Sequence, residues 1–192
     1  LLRSELPAER LATCNSCAMC GGESALQPPA PFRPDTKCCT YWPALPNYLV
    51  GAVLSQRPSD GVAPNHDTDE GASRIAKLLD SACAVPLGVG PSAGFRAAYA
   101  AVAGRGEFGR SPLLLCPYFV QEGGLCSVWH AREAVCSTYF CKLERAATSA
   151  AFWDALKALL LNVQLNLSVW CARELGIGTE GLRLRVPSTD MS

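Results

Sequence analysis

Cys14, Cys17 and Cys20 form a C-x2-C-x2-C run near the start of this chain. Two residues between sulfurs let a short turn aim each one at the same small object, which is what a soft metal or an iron–sulfur cluster requires. Such neighbours pair poorly with one another, because disulfide geometry is restrictive. Cys38 and Cys39 are adjacent. Cys116, Cys126, Cys136 and Cys141 follow, with nine, nine and four residues between them. These nine thiols stand in irregular, turn-rich sequence, where several ligands can converge. The other two, Cys83 and Cys171, fall at the ends of amphipathic segments and read as ordinary buried thiols that pack as small hydrophobes. The total is 11, an odd number, so full internal pairing is impossible.

A tetrathiolate zinc or a [4Fe–4S] cluster needs four ligands, so the nine positions suffice for two sites with one thiol spare, or one site plus structural thiols. Bacterial ferredoxins use a C-x2-C-x2-C run whose fourth Cys precedes Pro. Here Gly21-Gly22 follow Cys20, and the Cys-Pro pair is the remote Cys116-Pro117. The second block reads Cys116-Pro117-Tyr118, then Cys126, Val128, Trp129, Arg132 and Cys136. With the N-terminal triplet it resembles the YkgJ family of zinc- or iron-chelating cysteine-cluster proteins. That family's pattern is CxxCxxCC, then CP-aromatic, then C-x-aliphatic-aromatic-x-x-Arg-Pro-x-x-C. Gly21 stands where the doubled Cys would be, the CC pair comes only at Cys38-Cys39, and Glu133 replaces the Pro. Residues 21–37 therefore read as an insertion within the motif, and which of Cys20, Cys38 and Cys39 are ligands stays open. The resemblance covers about 60 residues in two blocks and implies metal chelation.

Arg132 lies between two candidate ligands. A guanidinium there would compensate thiolate charge without titrating; a plain surface Arg is the alternative. His130 suits the surface or the surroundings of a site better than a ligand position. His66-Asp67-Thr68-Asp69-Glu70 reads as a solvated loop and acidic helix start. Gly88 to Gly94 is glycine-rich, but a phosphate-binding loop needs a preceding strand and a Lys, so a linker turn is expected. No Ser-His-Asp logic is visible, and with two His a Cys-His nucleophile is unpromising. No catalytic residue is assigned.

Lys+Arg and Asp+Glu balance at 17 each, without the basic excess that marks nucleic-acid binding. Hydrophobic residues make up 49% of the chain, enough for a core without covalent staples. Free thiols and a cytoplasmic setting are therefore expected. The opening stretch LLRSELPAERLATC is not a secretory signal; a leader removed ahead of it, with export, stays open.

The elements follow from periodicity. One domain, 1–192, is expected to be mainly α with long irregular loops and organised around cysteine-ligated metal. The cysteine blocks are 14–39 and 116–141, and helical segments lie at about 70–103 and 149–175. Residues 1–20 suggest a short polar helix or turn, and Asn47–Leu54 a short helix. Ile75, Leu78, Leu79 and Ala82 share a face from about Glu70 to Cys83. Ser92 caps a helix with Phe95, Tyr99 and Val102 on one side. Phe152, Leu156, Leu159, Val163, Leu167 and Trp170 mark a long core or partner-facing helix that stops at Gly176. Its longest uninterrupted apolar run, Ala158–Leu161, is far short of a membrane span. Residues 182–186, LRLRV, suggest an edge strand. Tyr41, Trp42, Tyr118, Phe119, Trp129, Tyr139 and Phe140 flank the cysteines, either to exclude water or as plain core.

The favoured function is an iron–sulfur protein with one or more clusters, [4Fe–4S] being one candidate type and zinc the alternative metal, in electron transfer or as accessory to a partner enzyme. A structural zinc interaction module is the second reading. A cluster-dependent modifying enzyme and a secreted disulfide-bonded domain complete the alternatives.

Overall fold

Helices carry most of the ordered architecture, and strands of two residues pin the loops between them. The computed structural model describes residues 14, 15, 17, 19, 20, 32–55, 68–103, 105–139, 146–178, 180 and 181. The expected N-terminal helix before Cys14, the strand at 182–186, His66, Asp67, Phe140 and Cys141 lie outside the described residues.

β1 (Leu45–Pro46) runs directly into α1 (Asn47–Ser55). Asn47 fixes this corner. Its backbone N–H donates to Leu87 O at 2.9 Å, and its side-chain Nδ2 donates to Pro86 O at 3.1 Å and Ser168 O at 2.9 Å. α2 (Thr68–Leu79) buries Ile75 completely and Leu78 in part, while Leu79 and Ala82 are exposed. The expected face thus holds only at its centre. The helix ends at Leu79 instead of Cys83 because the chain must turn into β2 (Ala84–Val85). Glu70 pairs with Arg74 one turn on, and Arg74 Nη1 donates to Pro117 O at 2.5 Å. The acidic start of α2 therefore reaches the Cys-Pro turn.

Gly88 and Val89 are not a linker. They form β3, the buried centre of a three-stranded antiparallel sheet of order β1-β3-β2. Leu45 pairs with Val89 and Pro46 with Gly88 on one side; Ala84 and Val85 pair with the same two residues on the other. α3 (Ala93–Ala103) begins as expected, with Ser92 Oγ accepting from Phe95 N at 3.1 Å. Phe95 meets Trp42 edge to face, at a centroid distance of 5.4 Å. The core gathers Trp42, Leu45, Val50, Val53, Ile75, Val89, Tyr118 and Phe119.

α5 (Ala146–Glu174) ends in a Schellman motif. Gly176 takes φ +79°, its N–H donates to Arg173 O, and Ile177 N–H donates to Ala172 O. The expected stop is therefore present, but the expected buried face is not. Among its described residues, α5 buries Ser149, Ser168 and Ala172. Phe152, Leu159 and Trp170 are 59%, 60% and 58% exposed, and Val163 and Leu167 are exposed too. Two hydrogen bonds tie the inward side to its neighbours: the Ser168 backbone carbonyl accepts from Asn47 Nδ2, and the Gln164 side-chain Oε1 accepts from Ala134 N at 2.9 Å. Taken over its whole length, Thr148–Glu174 is long and apolar enough to cross a membrane, by length and composition only.

Gly88 carries the close approach at the sheet centre. Its φ is +143°, and a Cβ there would sit 2.0 Å from Leu45 O. Gly88→Ala is expected to lower unfolding stability by roughly 2–4 kcal/mol, through strain in the sheet. A denaturant titration followed by circular dichroism checks this; an unchanged midpoint would refute it.

Candidate metal centre

Three separate stretches build the thiol cluster. The first is the Cys14–Cys20 turn, where Cys20 N–H donates to Cys17 O and the two sulfurs stand 3.2 Å apart. Met19 O accepts from Phe32 N at 2.9 Å, which brings this turn to the second stretch, residues 32–40. Gly109 clamps that second stretch from both ends. Its carbonyl accepts from Thr36 Oγ1 at 2.7 Å and its N–H donates to Thr40 Oγ1 at 2.7 Å. Both threonines are fully buried, so the turn carrying Lys37, Cys38 and Cys39 has little freedom.

The third stretch is a hairpin with a short helix behind it. β4 (Phe119–Val120) pairs with β5 (Leu125–Cys126). Phe119 opposes Cys126, which brings Cys116 and Cys126 near each other. Cys116 N–H donates to Cys39 O at 2.8 Å and so joins the hairpin to the vicinal pair. α4 (Ala134–Thr138) presents Cys136. Glu133 caps α4, accepting from Val135 N and Cys136 N at 2.8 Å each. The carboxylate thus explains why Glu stands where the resembling family has Pro: it satisfies two free N–H groups at the helix start. Burial raises the Glu133 pKa above the usual carboxylate range.

Cys38 is the centre of the cluster. It interacts electrostatically with Cys14, Cys20, Cys39, Cys116, Cys126 and Cys136, and Cys17 joins through Cys20. A hydrogen bond from Cys39 is the largest factor that lowers the Cys38 pKa to about 7, aided by Arg132 and Lys37. The Cys39 thiol is correspondingly pushed up as the donor. Burial raises Cys14, Cys20 and Cys116 to about 12, and raises Cys126 and Cys136 as well.

Two cations serve this group. Arg132 stacks its guanidinium on Trp129, 3.4 Å from the ring centroid, and its field reaches Cys14, Cys38 and Cys126. Lys37 gave no signal in the sequence, yet its ammonium donates to Cys14 O and Gly124 O at 2.7 Å each. It latches the first thiol turn to the hairpin. Its backbone has φ +51°, a left-handed conformation unusual for a side chain of this size.

Cys83 and Cys171 are both half-buried instead of fully buried. Cys83 lies in the turn after α2 and packs against the core. His130 is exposed on the three-residue turn Trp129–Ala131. Tyr41 and Trp129 are half-buried, Trp42, Tyr118 and Phe119 are buried, and Tyr139 is 38% exposed.

Among the described residues, no three His, Cys, Asp or Glu side chains form a ready-made metal ligand set. The chemistry of the donors nevertheless suits a thiophilic metal, since they are all sulfur. The buried Trp42 Nε1 and Tyr118 hydroxyl also face one another without reaching hydrogen-bond geometry, and Tyr118 lies within the field of Cys116, Cys83 and Cys126. Such donors suit a neighbouring anionic sulfur.

Lys37→Met removes the donor to two carbonyls. It is expected to cost roughly 1–3 kcal/mol and to speed modification of Cys14 by a thiol reagent. Mass spectrometry of time-resolved labelling checks it, and unchanged labelling would show that the latch does not hold the turn.

The raised thiols also set a pH dependence for metal-free, reduced protein. In the unfolded chain they ionise near 9.0, and in the fold Cys14, Cys20 and Cys116 do so at about 12. The folded state then holds more protons, so stability falls as pH rises through about 9 toward 12. Cys38 acts oppositely: its contribution to folding builds as pH rises from about 7 to about 9 and persists above that. Thermal midpoints should drop steeply above about pH 9; a flat profile would contradict the raised values.

Comparison with protein-family models, with curated proteins and with solved structures gives no match for the chain.

Proposed function

We propose that this is a metal–thiolate protein of the cytoplasm that binds an iron–sulfur cluster and serves electron transfer or a partner enzyme. The observation that carries the reading is the gathering of seven other thiols around or next to Cys38 from three separate stretches. The resemblance to the YkgJ family supports the same chemistry.

Neutral thiols crowded out of water gain little from one another, and as thiolates they repel. A thiophilic cation removes that conflict, releasing protons as it binds. The ligand pool is Cys14, Cys17, Cys20, Cys38, Cys39, Cys116, Cys126 and Cys136. Cys38 ionises first, because Cys39 donates to it and two cations face it. Arg132 and Lys37 offset the thiolate charge. Trp42, Tyr118 and Phe119 keep water from the sulfurs. When bound, an iron–sulfur group supplies one-electron redox chemistry. More than four thiols in one place favour it over a single zinc.

The test is an anaerobic absorption spectrum of the reduced protein, with iron, zinc and acid-labile sulfide assayed on the same sample. Broad absorption near ~400 nm with stoichiometric iron and sulfide is expected. Cys38→Ser should lose most of it, while Cys83→Ser and Cys171→Ser should keep it. A colourless protein with stoichiometric zinc would replace this reading with the structural module. A metal-free protein without free thiols would remove both.

A further inference from the structure

The turn that carries Cys17 and Cys20 brings their sulfurs to 3.2 Å, and Cys20 N–H donates to Cys17 O across it, also at 3.2 Å. A disulfide bond is ~2.05 Å long, so roughly 1 Å of side-chain movement separates the pair from it. A hydrogen-bonded turn holds its first and fourth Cα within ~7 Å, and a disulfide spans ~4.4–6.8 Å between Cα atoms. The backbone therefore need not unfold for the bond to form. The expectation that these thiols pair poorly gives way to this geometry. Cys38 and Cys39 differ. As consecutive residues their Cα atoms are ~3.8 Å apart, below the range that a disulfide spans without strain.

Both cysteines are half-buried. Cys20 lies nearer the surface than Cys14, Cys38, Cys116, Cys126 and Cys136. Its sulfur also reaches Arg33 O, 3.6 Å away at the exposed edge. The turn is held by groups other than its sulfurs. Met19 O accepts from Phe32 N at 2.9 Å, and Cys14 O accepts from Lys37 Nζ at 2.7 Å. Neither tether uses a thiol, so both survive a new bond between Cys17 and Cys20.

We infer that Cys17 and Cys20 are a reversible dithiol–disulfide site that a hydroperoxide oxidises, and that the closed form withholds both sulfurs from the metal. The second half rests on the metal–thiolate reading; the first does not. Cys20 Sγ donates toward Cys17 Sγ, which makes Cys17 the attacking sulfur and Cys20 the resolving one. Cys17 sulfur attacks a peroxide oxygen and the O–O bond breaks. The Cys17 proton leaves with the departing oxygen as water or alcohol, and Cys17 becomes a sulfenic acid. Cys20 sulfur then attacks the Cys17 sulfur. The S–S bond forms, the S–O bond breaks, and the Cys20 proton joins the leaving hydroxyl as water. Two electrons have passed from the sulfurs to the peroxide. A dithiol reverses the step, becoming a disulfide itself while both thiols regain their protons. Coupling to the metal runs both ways: a sulfur bound to metal does not attack peroxide, and a sulfur in a disulfide does not ligate as a thiolate.

The test treats the full chain, metal-free and reduced, with hydrogen peroxide at neutral pH. The protein is then alkylated and mapped by mass spectrometry without reduction. The tryptic peptide 11–37 contains Cys14, Cys17 and Cys20. It should lose two hydrogens and carry a single alkyl group, on Cys14, and dithiothreitol should restore alkylation at Cys17 and Cys20. Cys20→Ser should leave a sulfenic acid at Cys17 that dimedone traps. Cys14→Ser should still form the bridge. Zinc, or ferrous iron with sulfide, is then offered to both forms of the unsubstituted chain. The oxidised form should take up metal at least ~10-fold more weakly, since loss of a mere supporting group costs that much. A bridge placed elsewhere, or none, overturns the inference even where metal binds. An oxidised form that loads as well as the reduced one overturns the withholding of ligands. A Cys17–Cys20 bridge in a chain that takes up no metal in either form supports the site, and overturns the withholding together with the metal–thiolate reading.

Discussion

A thiolate buried among thiols is disfavoured twice: it loses its hydration, and its neighbours repel it. Cys14, Cys116, Cys126 and Cys136 all meet this penalty, chiefly through burial. The surrounding chain is arranged to hold these groups together despite it. The means are backbone hydrogen bonds, which do not depend on the sulfurs' charge. Cys116 N–H reaches Cys39 O, Gly109 braces Thr36 and Thr40, and Glu133 caps the turn that carries Cys136. Cys38 is eased toward ionisation, because its neighbour donates to its sulfur.

Close approach recurs as the cost of this crowding. A Cβ on Gly109 would lie 2.1 Å from the Phe32 ring, and one on Gly71 would lie 2.3 Å from Ser127 O. Gly71 lets α2 rest on the hairpin that carries Cys126. Gly109 lets the Thr36–Thr40 turn close beneath the vicinal cysteines. Lys37 is the exception, a long side chain kept in a left-handed backbone. Its ammonium has two carbonyls to satisfy and three thiols in its field. Those interactions offset a conformation that Gly would adopt more readily.

Local signals were the most legible. Asn47–Leu54, the Ser92 cap and the Gly176 stop were all visible in the sequence, since each rests on residues within one turn of each other. Mainly helical architecture with a long final helix follows from the same signals. Contacts between distant segments were not. Nothing near Lys37 announces Gly124, 87 residues away. Gly88 looked like loop chemistry, because a two-residue strand leaves no alternation to read. On α5 the period was right and the side was wrong. The helix is apolar almost all round, so hydrophobicity could not choose which stripe goes inside. Gln164 marks the inward stripe with a side-chain hydrogen bond to Ala134 N of α4, while Ser168 contributes only its backbone carbonyl to Asn47.

α5 also bears on the thiol cluster. Its inner stripe accepts from Ala134 N, the first residue of the helix that presents Cys136. The first turn of α4 has its N–H groups held by two side chains, Gln164 at Ala134 and Glu133 at Val135 and Cys136. The geometry at Cys136 is thus set jointly by a buried carboxylate on one side and by the seating of α5 on the other.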